Sequence, residues 1–423
     1  MRRPELPSLT GLRFCAAFAI LFEHTLTWCT PFNDTASFHT AAALVGLPGM
    51  PLFFVLSGFV IHYNYGSLFR ERSFPAASRD FLAARFARLY PLYFFFFVFG
   101  AVGDFTVNWI PDTPGNFVSY ILHAATLTQS WVYEIVVNRR LLLDNGFGLG
   151  WSVSTEFFFY LAYLVLVFAV PKIRRPASGV IAIAVYAAAV LGALWFVFLH
   201  VDALMSVARA HLSDFISKKE NFSNSFYRYL FYYSPYVRIW EFLLGCLCAQ
   251  LFLLLRNRPV TDREQRAGAI VLGAALVAFG AFAIVYAFGL GNANVYATVH
   301  FFALNFGCAV PIAAIIFCTA RYSSPLARLL SSAWMIWLGE ISYSIYAVHT
   351  WTLRPLIRPA VNFNWFYGID AVLRIALGIG FTVIVATATY AIIEAPGRRY
   401  LRAKLMRQPK TSTASESAPE PAQ

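Results

Sequence analysis

Charge is what this 423-residue chain has least of: only 13% of its residues are Asp, Glu, Lys or Arg, about half the share of an ordinary soluble domain. Twenty-one acidic and 33 basic side chains cannot coat the cores of the two or three soluble domains that this length would otherwise make. A soluble enzyme is excluded on that ground. Cysteine is scarce as well, six in all, with no CxxC pair and no zinc-ligand spacing. That excludes a secreted disulfide scaffold and gives no metal site; the thiols read as small apolar packing residues. Also missing are a G-x-x-x-x-G-K-[ST] phosphate loop, an H-E-x-x-H zinc motif and a G-x-S-x-G nucleophile elbow. None of the eight His residues has an Asp five positions on, so the HxxxxD arrangement of peripheral lipid acyltransferases is absent too.

What the chain has instead is apolar length. Hydrophobic residues make up 59% and aromatics 17%, in runs that recur from end to end. Ten spans are read, at 11–30, 46–65, 89–110, 151–170, 178–200, 235–255, 267–290, 297–319, 334–352 and 371–393. Each suits a helix of about 20 residues crossing a hydrocarbon layer of about 30 Å. The expected fold is all-α, a polytopic membrane bundle of about ten transmembrane helices.

A net charge of +12 would suggest a nucleic-acid partner in a soluble chain. Here position explains it. With the N-terminus inside, about two thirds of the Lys and Arg residues fall on the inner side, including Arg70, Arg72, Arg79, Arg85 and Arg88 and a basic cluster after Arg398. The charge therefore sets topology, with both termini cytoplasmic, and no nucleic-acid module is visible. Arg2 and Arg3 ahead of the first span resemble a signal peptide, but Arg13, Glu23 and His24 interrupt it and no small-residue cleavage site follows, so it is expected to remain as a helix. Two outer segments, 111–150 and 201–234, are long enough to fold over the membrane face, the first with a re-entrant or surface-lying piece at 117–127. Residues 1–400 are expected to form the membrane domain and 401–423 a disordered basic and polar cytoplasmic tail.

Ionisable side chains at bilayer depth cost several kcal/mol unless paired or hydrated, which makes each a functional candidate. Arg13 and His24 are eleven positions apart on the first span, about 1100° of helix, so they share one face about 16 Å apart along the axis. A shared polar face crossing most of the membrane suggests a cavity wall; the plainer reading is a snorkelling Arg and a hydrogen-bonded structural His. Glu23 points about 100° away from His24 and is expected to be a poor direct partner. Arg85 and Arg88 share a face at a helix start, suited either to clamping phosphates or to marking topology. Glu156 enters the fourth span with Ser152 four positions earlier on its face, placed to orient an imidazole, bind a hydroxyl or pair with an Arg. Arg238 and Glu241 are an i, i+3 pair expected to satisfy each other. His349, with Glu340 on the ninth span, is a second candidate proton carrier or a satisfied core histidine.

Taken in order, these stretches resemble the acyltransferase-3 family of integral membrane proteins. The resemblance rests on Arg13-x₁₀-His24, on PLFFVLSGFVI at 51–61, on the RxxR of Arg85 and Arg88, and on WSxSxE (Trp151, Ser152, Ser154, Glu156). It continues through RxxEFxxG (Arg238, Glu241, Phe242, Gly245), GxxSYxxYxxH from Gly339 to His349, and ExP at Glu394 and Pro396. Seven phrases in order from residue 8 to 399 are specific together, though each alone is weak.

Membership implies transfer of an acyl group, usually acetyl from acetyl-CoA as donor substrate, to a hydroxyl of a carbohydrate or lipid-linked glycan such as a surface polysaccharide, in a bacterial inner membrane. No bound cofactor or metal is expected. The family makes His24 essential and Arg13, Arg85 and Arg88 important. On this reading Arg85 and Arg88 hold the donor's phosphates, and Arg13 holds the donor or stabilises an oxyanion. His24 acts as general base or carries the acyl group itself, and Glu156 orients His24 or the acceptor. Trp151, Ser152, Arg238, Glu241 and His349 are further candidates. Some family members add a C-terminal esterase-like domain; this chain is expected to act without one or with a separate partner. Trp109, Trp131 and Tyr133 suit sugar stacking or membrane anchoring equally. The rival reading is a secondary transporter or exporter using the intramembrane Arg, Glu and His as a proton or anion pathway.

Overall fold

Hydrocarbon solvates no backbone, so the apolar runs must close their own hydrogen bonds, and they do so as helices. The computed structural model describes residues 4–29, 42–106, 113–137, 140–144, 149–357 and 367–406. The principal helices are α1 (Pro7–Cys29), α2 (Gly49–Tyr65), α3 (Phe74–Thr106), α4 (Pro114–Thr126), α5 (Gly150–Ala169), α6 (Pro176–Leu199), α7 (Val201–His211) and α8 (Pro235–Leu255). They continue with α9 (Asp262–Phe288), α10 (Ala293–Ala303), α11 (Ala309–Arg321), α12 (Ala333–Glu340), α13 (Ser342–Ile357), α14 (Tyr367–Thr389) and α15 (Ala395–Leu405). Among the described residues the one sheet is a short antiparallel hairpin, Ile135–Val137 with Arg140–Leu141, in the segment expected outside.

Local sequence explains the boundaries. At α9, Thr261 accepts from the Glu264 amide at 3.2 Å, Asp262 and Glu264 fill the first turn, and Gly289 at φ +55° ends it. These residues cap the free amides and carbonyls of the helix and match its dipole.

Among the described residues, eight helices are long and apolar enough to cross a bilayer, and a ninth span results if the bent pair α10 and α11 is taken as one. The two remaining departures from ten straight rods have visible causes. The expected span 297–319 bends by 83° between α10 and α11. There Asn305 turns its amide back to the Phe301 carbonyl at 3.0 Å and accepts from the Phe306 amide at 2.7 Å. The expected span 334–352 is divided at Ile341, between α12 and α13, with Glu340 exposed at the break. In the segment 111–150, α4 buries Tyr120 and Ala124 and exposes Val118 and Leu122, the pattern of a surface-lying helix. The chain remains helical to Leu405; 407–423 lie outside the described residues, as do Trp109 and Arg139.

Two faces of the bundle differ sharply. On α6 and α9 the large apolar side chains point outward, Ile270 and Val277 being 72% and 73% exposed, as helices do when they meet lipid. Helices α1, α2 and α8 are the interior. Helices α2 and α8 touch through backbone: a Cβ on Gly58 would collide with the Phe242 carbonyl, and one on Gly245 with the Val55 carbonyl. Helix α1 meets the α12 region the same way, through Gly11 against Leu330 and Gly339 against Thr10. Small residues permit this approach where packing rather than water exclusion holds helices together. Five of the six cysteines are buried and all six are free, as expected of packing residues.

Gly245→Leu should therefore separate α2 from α8 and cost at least about 1–3 kcal/mol. Gly192→Leu, whose added side chain meets open space on α6, should leave stability unchanged. Thermal unfolding in detergent compares the two.

Candidate functional site

Five helices, α1, α2, α3, α5 and α13, bring polar side chains to one cavity. Arg13 from α1, Arg85 and Arg88 from α3 and Glu156 from α5 line it together with Ser57 of α2. The sequence motifs thus converge in space. Glu156 is held from two sides: Ser57 donates to its Oε1 at 3.0 Å and the Tyr160 hydroxyl at 2.5 Å. Arg85 donates from Nη2 to the Tyr65 hydroxyl at 2.9 Å and lies over the Tyr65 ring at 4.8 Å, while its Nε has no partner. Among the described residues Arg13 and Arg88 make no side-chain hydrogen bond or ion pair. Three cations thus share a low-dielectric space with a single lining carboxylate, and Arg13 feels the repulsion of Arg88 and Arg85 against the attraction of Glu156. Glu394, a second carboxyl group within the field of Arg88, accepts from Ser344 at 2.7 Å. Such an excess of buried positive charge has the chemistry to bind an anionic group.

His24 occupies a second centre, one helix face and eleven residues along α1 from Arg13. Its Nδ1 lies 2.8 Å from Nε2 of His349, and Nδ1 of His349 lies 2.7 Å from the Tyr346 carbonyl. A carbonyl only accepts, so His349 carries its proton on Nδ1 and, when neutral, offers a lone pair at Nε2. His24 must then donate from Nδ1. That fixes Nε2 as the edge of His24 left for chemistry, in the way a partner sets the tautomer of a catalytic histidine. The His24 ring is further held by Trp28, stacked at 4.3 Å and 9°. The two centres are joined by Tyr346, which lines the arginine cavity, shares a 2.7 Å hydrogen bond with Ser152, and supplies the carbonyl that orients His349.

Two sequence expectations are corrected here. Glu156 does not orient His24, because its oxygens are turned to Ser57 and Tyr160 in the arginine cavity; His349 does the orienting. Glu23 is a direct partner of His24, its Oε2 lying 3.2 Å from Nε2, because the long side chain curls across the 100° that separates the two Cβ directions. The expected pairing of Arg238 with Glu241 is present at 3.3 Å, both side chains being 0% exposed. Arg238 also donates to the Leu304 carbonyl at 2.7 Å, satisfying the backbone at the bend between α10 and α11, and lies over Phe54 and Tyr232. These two residues build the frame and do not line the cavity. Trp151 packs among Phe54, Tyr232 and Tyr233. Ser154 pins the turn at Leu127, whose φ of +60° is unusual for a β-carbon-bearing residue. Trp131 and Tyr133 spend their polar atoms on Ser154 and Ile216.

Sequence reasoning passed over Ser57, Tyr65, Tyr160 and Trp28. Tyr160 had a signal, being one helical turn after Glu156; Trp28 likewise follows His24 by four. Arg228 was counted only as an outer-side charge. It is stacked among Phe222, Tyr232 and Tyr233, and its field reaches Glu23 and His24.

A helical bundle that buries such centres between its spans is an integral, multi-pass membrane protein. The chain belongs to the acyltransferase-3 family: the family model, described as an acyltransferase domain, matches residues 6–391. It is 26% identical over 431 positions to the acyltransferase MdmB of Streptomyces mycarofaciens, covering 98% of this chain and 97% of that protein. It is 24% identical over 408 positions to the peptidoglycan O-acetyltransferase OatA of Listeria monocytogenes, covering 94% of this chain but 56% of that protein. Nodulation protein 10 of Rhizobium leguminosarum matches at 28% identity over 183 positions, 41% of this chain and 47% of that protein. No solved structure matches.

Arg238→Met should destabilise the protein by about 3–5 kcal/mol, because Glu241 is left buried and unpaired. Arg238→Met with Glu241→Met should recover part of that loss. Thermal melting of the two purified variants measures the difference.

Proposed function

We propose that this protein is a bacterial inner-membrane O-acetyltransferase that moves the acetyl group of acetyl-CoA to a hydroxyl of a carbohydrate or lipid-linked glycan. One observation carries the reading: a single face of α1 presents Arg13 to a cavity of three arginines and, about 16 Å further on, His24 to a tautomer-fixing partner. The donor's phosphates suit the arginines, whose guanidiniums accept bidentate anions. The donor's extended arm carries its thioester along α1 toward His24. There the acceptor hydroxyl gives its proton to the histidine edge as its oxygen attacks the thioester carbon, the C–O bond forms, and the C–S bond breaks to release the thiol. Transfer through an acyl-histidine is the other version of the same geometry, with Nε2 again the reacting atom.

A glycan acceptor is supported by the similarity to a peptidoglycan O-acetyltransferase. The excess of basic residues on one side of the spans supports a cytoplasmic donor site, because Arg85 and Arg88 fall on that side. The transporter reading draws less support: one bent helix pair occurs among the described residues, where paired broken helices would be wanted.

His24→Ala should abolish transfer while protein level and membrane insertion stay normal, as measured by acetylation of the cell's glycans and by membrane fractionation. Arg85→Ala with Arg88→Ala should raise KM for acetyl-CoA by about tenfold or more, the value of a charge-assisted hydrogen bond or two. Release of CoA from acetyl-CoA, assayed with and without glycan, measures both variants and separates an enzyme from a proton-coupled carrier.

A further inference from the structure

His24 has two ring nitrogens, and the reading above uses only the contact at Nδ1. The other nitrogen is not free. Nε2 faces Glu23 Oε2 at 3.2 Å, and both side chains keep roughly a quarter of their surface open, 22% and 24%. With Nδ1 committed to His349, a neutral His24 and an ionised Glu23 would set two lone pairs against each other. The contact therefore holds one proton, either as imidazolium and carboxylate or as imidazole and carboxylic acid.

The surroundings seat Glu23 for this contact. Its side chain lies across Gly46, where a Cβ would come within 2.9 Å of Cγ and 3.2 Å of Oε2. Any larger residue at 46 would displace the carboxylate. Arg228, braced by three aromatic rings and by the Tyr233 hydroxyl at 3.0 Å, adds a positive field that favours the carboxylate. The titratable and charged groups around the pair are His349 from α13, Arg228 and Tyr232 from the segment before α8, and Tyr286 from α9. Of these, Arg228 alone is charged throughout the working range, so the pair's own proton governs its behaviour.

We propose that Glu23 is a positioning residue for His24, sharing one proton with Nε2 and acting as the counter-charge of the imidazolium formed during acyl transfer. The inference rests on the acyl-transfer reading above. The proton on Nε2 moves to the departing sulfur of the acyl thioester as the C–S bond breaks, and the acceptor's hydroxyl proton takes its place on Nε2 as the C–O bond forms. The pair thus never holds more than one proton, and Glu23 stays the counter-charge of the imidazolium. Removing the charge of Glu23 weakens the step that makes the imidazolium and leaves the distant arginine cavity untouched.

The test uses the full-length protein in membranes that carry the host's own glycan, with acetyl-CoA as donor and CoA release followed from pH 5 to 9. Glu23→Gln should lower kcat about 100-fold, within the range for general acid–base partners, with KM for acetyl-CoA unchanged within about twofold. The pH dependence of kcat should flatten on its acid side. Glu23→Asp should restore much of the rate and the wild-type profile, and Gly46→Ala, which moves the carboxylate but keeps its charge, should lower kcat with KM unchanged. Melting temperatures check that each variant folds. Wild-type kcat in Glu23→Gln, or a reduced kcat with an unaltered pH profile, overturns the role of Glu23. CoA release in His24→Ala at the wild-type rate overturns the acyl-transfer reading instead, so the two failures are distinct.

Discussion

A guanidinium in a hydrocarbon layer is costly unless something in the protein answers it, and the bundle is arranged around that cost. Arg238 is answered by Glu241 and by the carbonyl of Leu304, where the bend of α10 into α11 would otherwise strand a backbone group. Arg85 is answered partly by the face and hydroxyl of Tyr65. Arg13 and Arg88 are answered by neither hydrogen bond nor ion pair among the described residues. Even the framework pair is held mainly by charge, since Nε and Nη2 of Arg238 and both carboxylate oxygens of Glu241 are buried without a hydrogen-bond partner; Arg13 and Arg88 lack even an opposite charge in contact among the described residues.

Helix α1 is the element on which the arrangement turns. It meets α12 by backbone contact of Thr10 with Gly339, carries Arg13 into the cavity, and ends with His24 between Trp28 and His349. Because the cavity and the histidine pair are read from one rigid helix and stitched by Tyr346, the distance between them is set by helix rise rather than by loops. On the proposed reading, a donor held at the arginines would meet His24 in register, the geometric condition for effective catalysis.

Much of this was legible in the chain. The apolar runs gave the helices, since hydropathy over about 20 residues is a direct physical requirement of spanning. The 3.6-residue period placed Arg13 and His24 on one face, and Arg238 with Glu241 in contact, because those relations lie within one helix. What could not be read were relations between helices. Glu156 was given the wrong neighbour, since its partners Ser57 and Tyr160 depend on how α2 meets α5 as much as on sequence spacing. His349 was recognised as ionisable, yet its meeting with His24, across 325 residues of sequence, is a product of packing. Glu23 was dismissed on Cβ directions alone, an argument that fails for a side chain long and flexible enough to curl. The bend at Asn305 was hidden inside an apolar run that looked continuous.

The hydrogen bond from His349 to the carbonyl of Tyr346 has a consequence for the membrane as an electrical barrier. An ionisable histidine partway along a membrane span is a potential step in a leak of protons down the cell's electrochemical gradient. A backbone carbonyl can accept a hydrogen bond but has no proton to pass on at ordinary pH. The chain of contacts from Glu23 through His24 and His349 therefore ends at the Tyr346 carbonyl, which offers a proton no onward path.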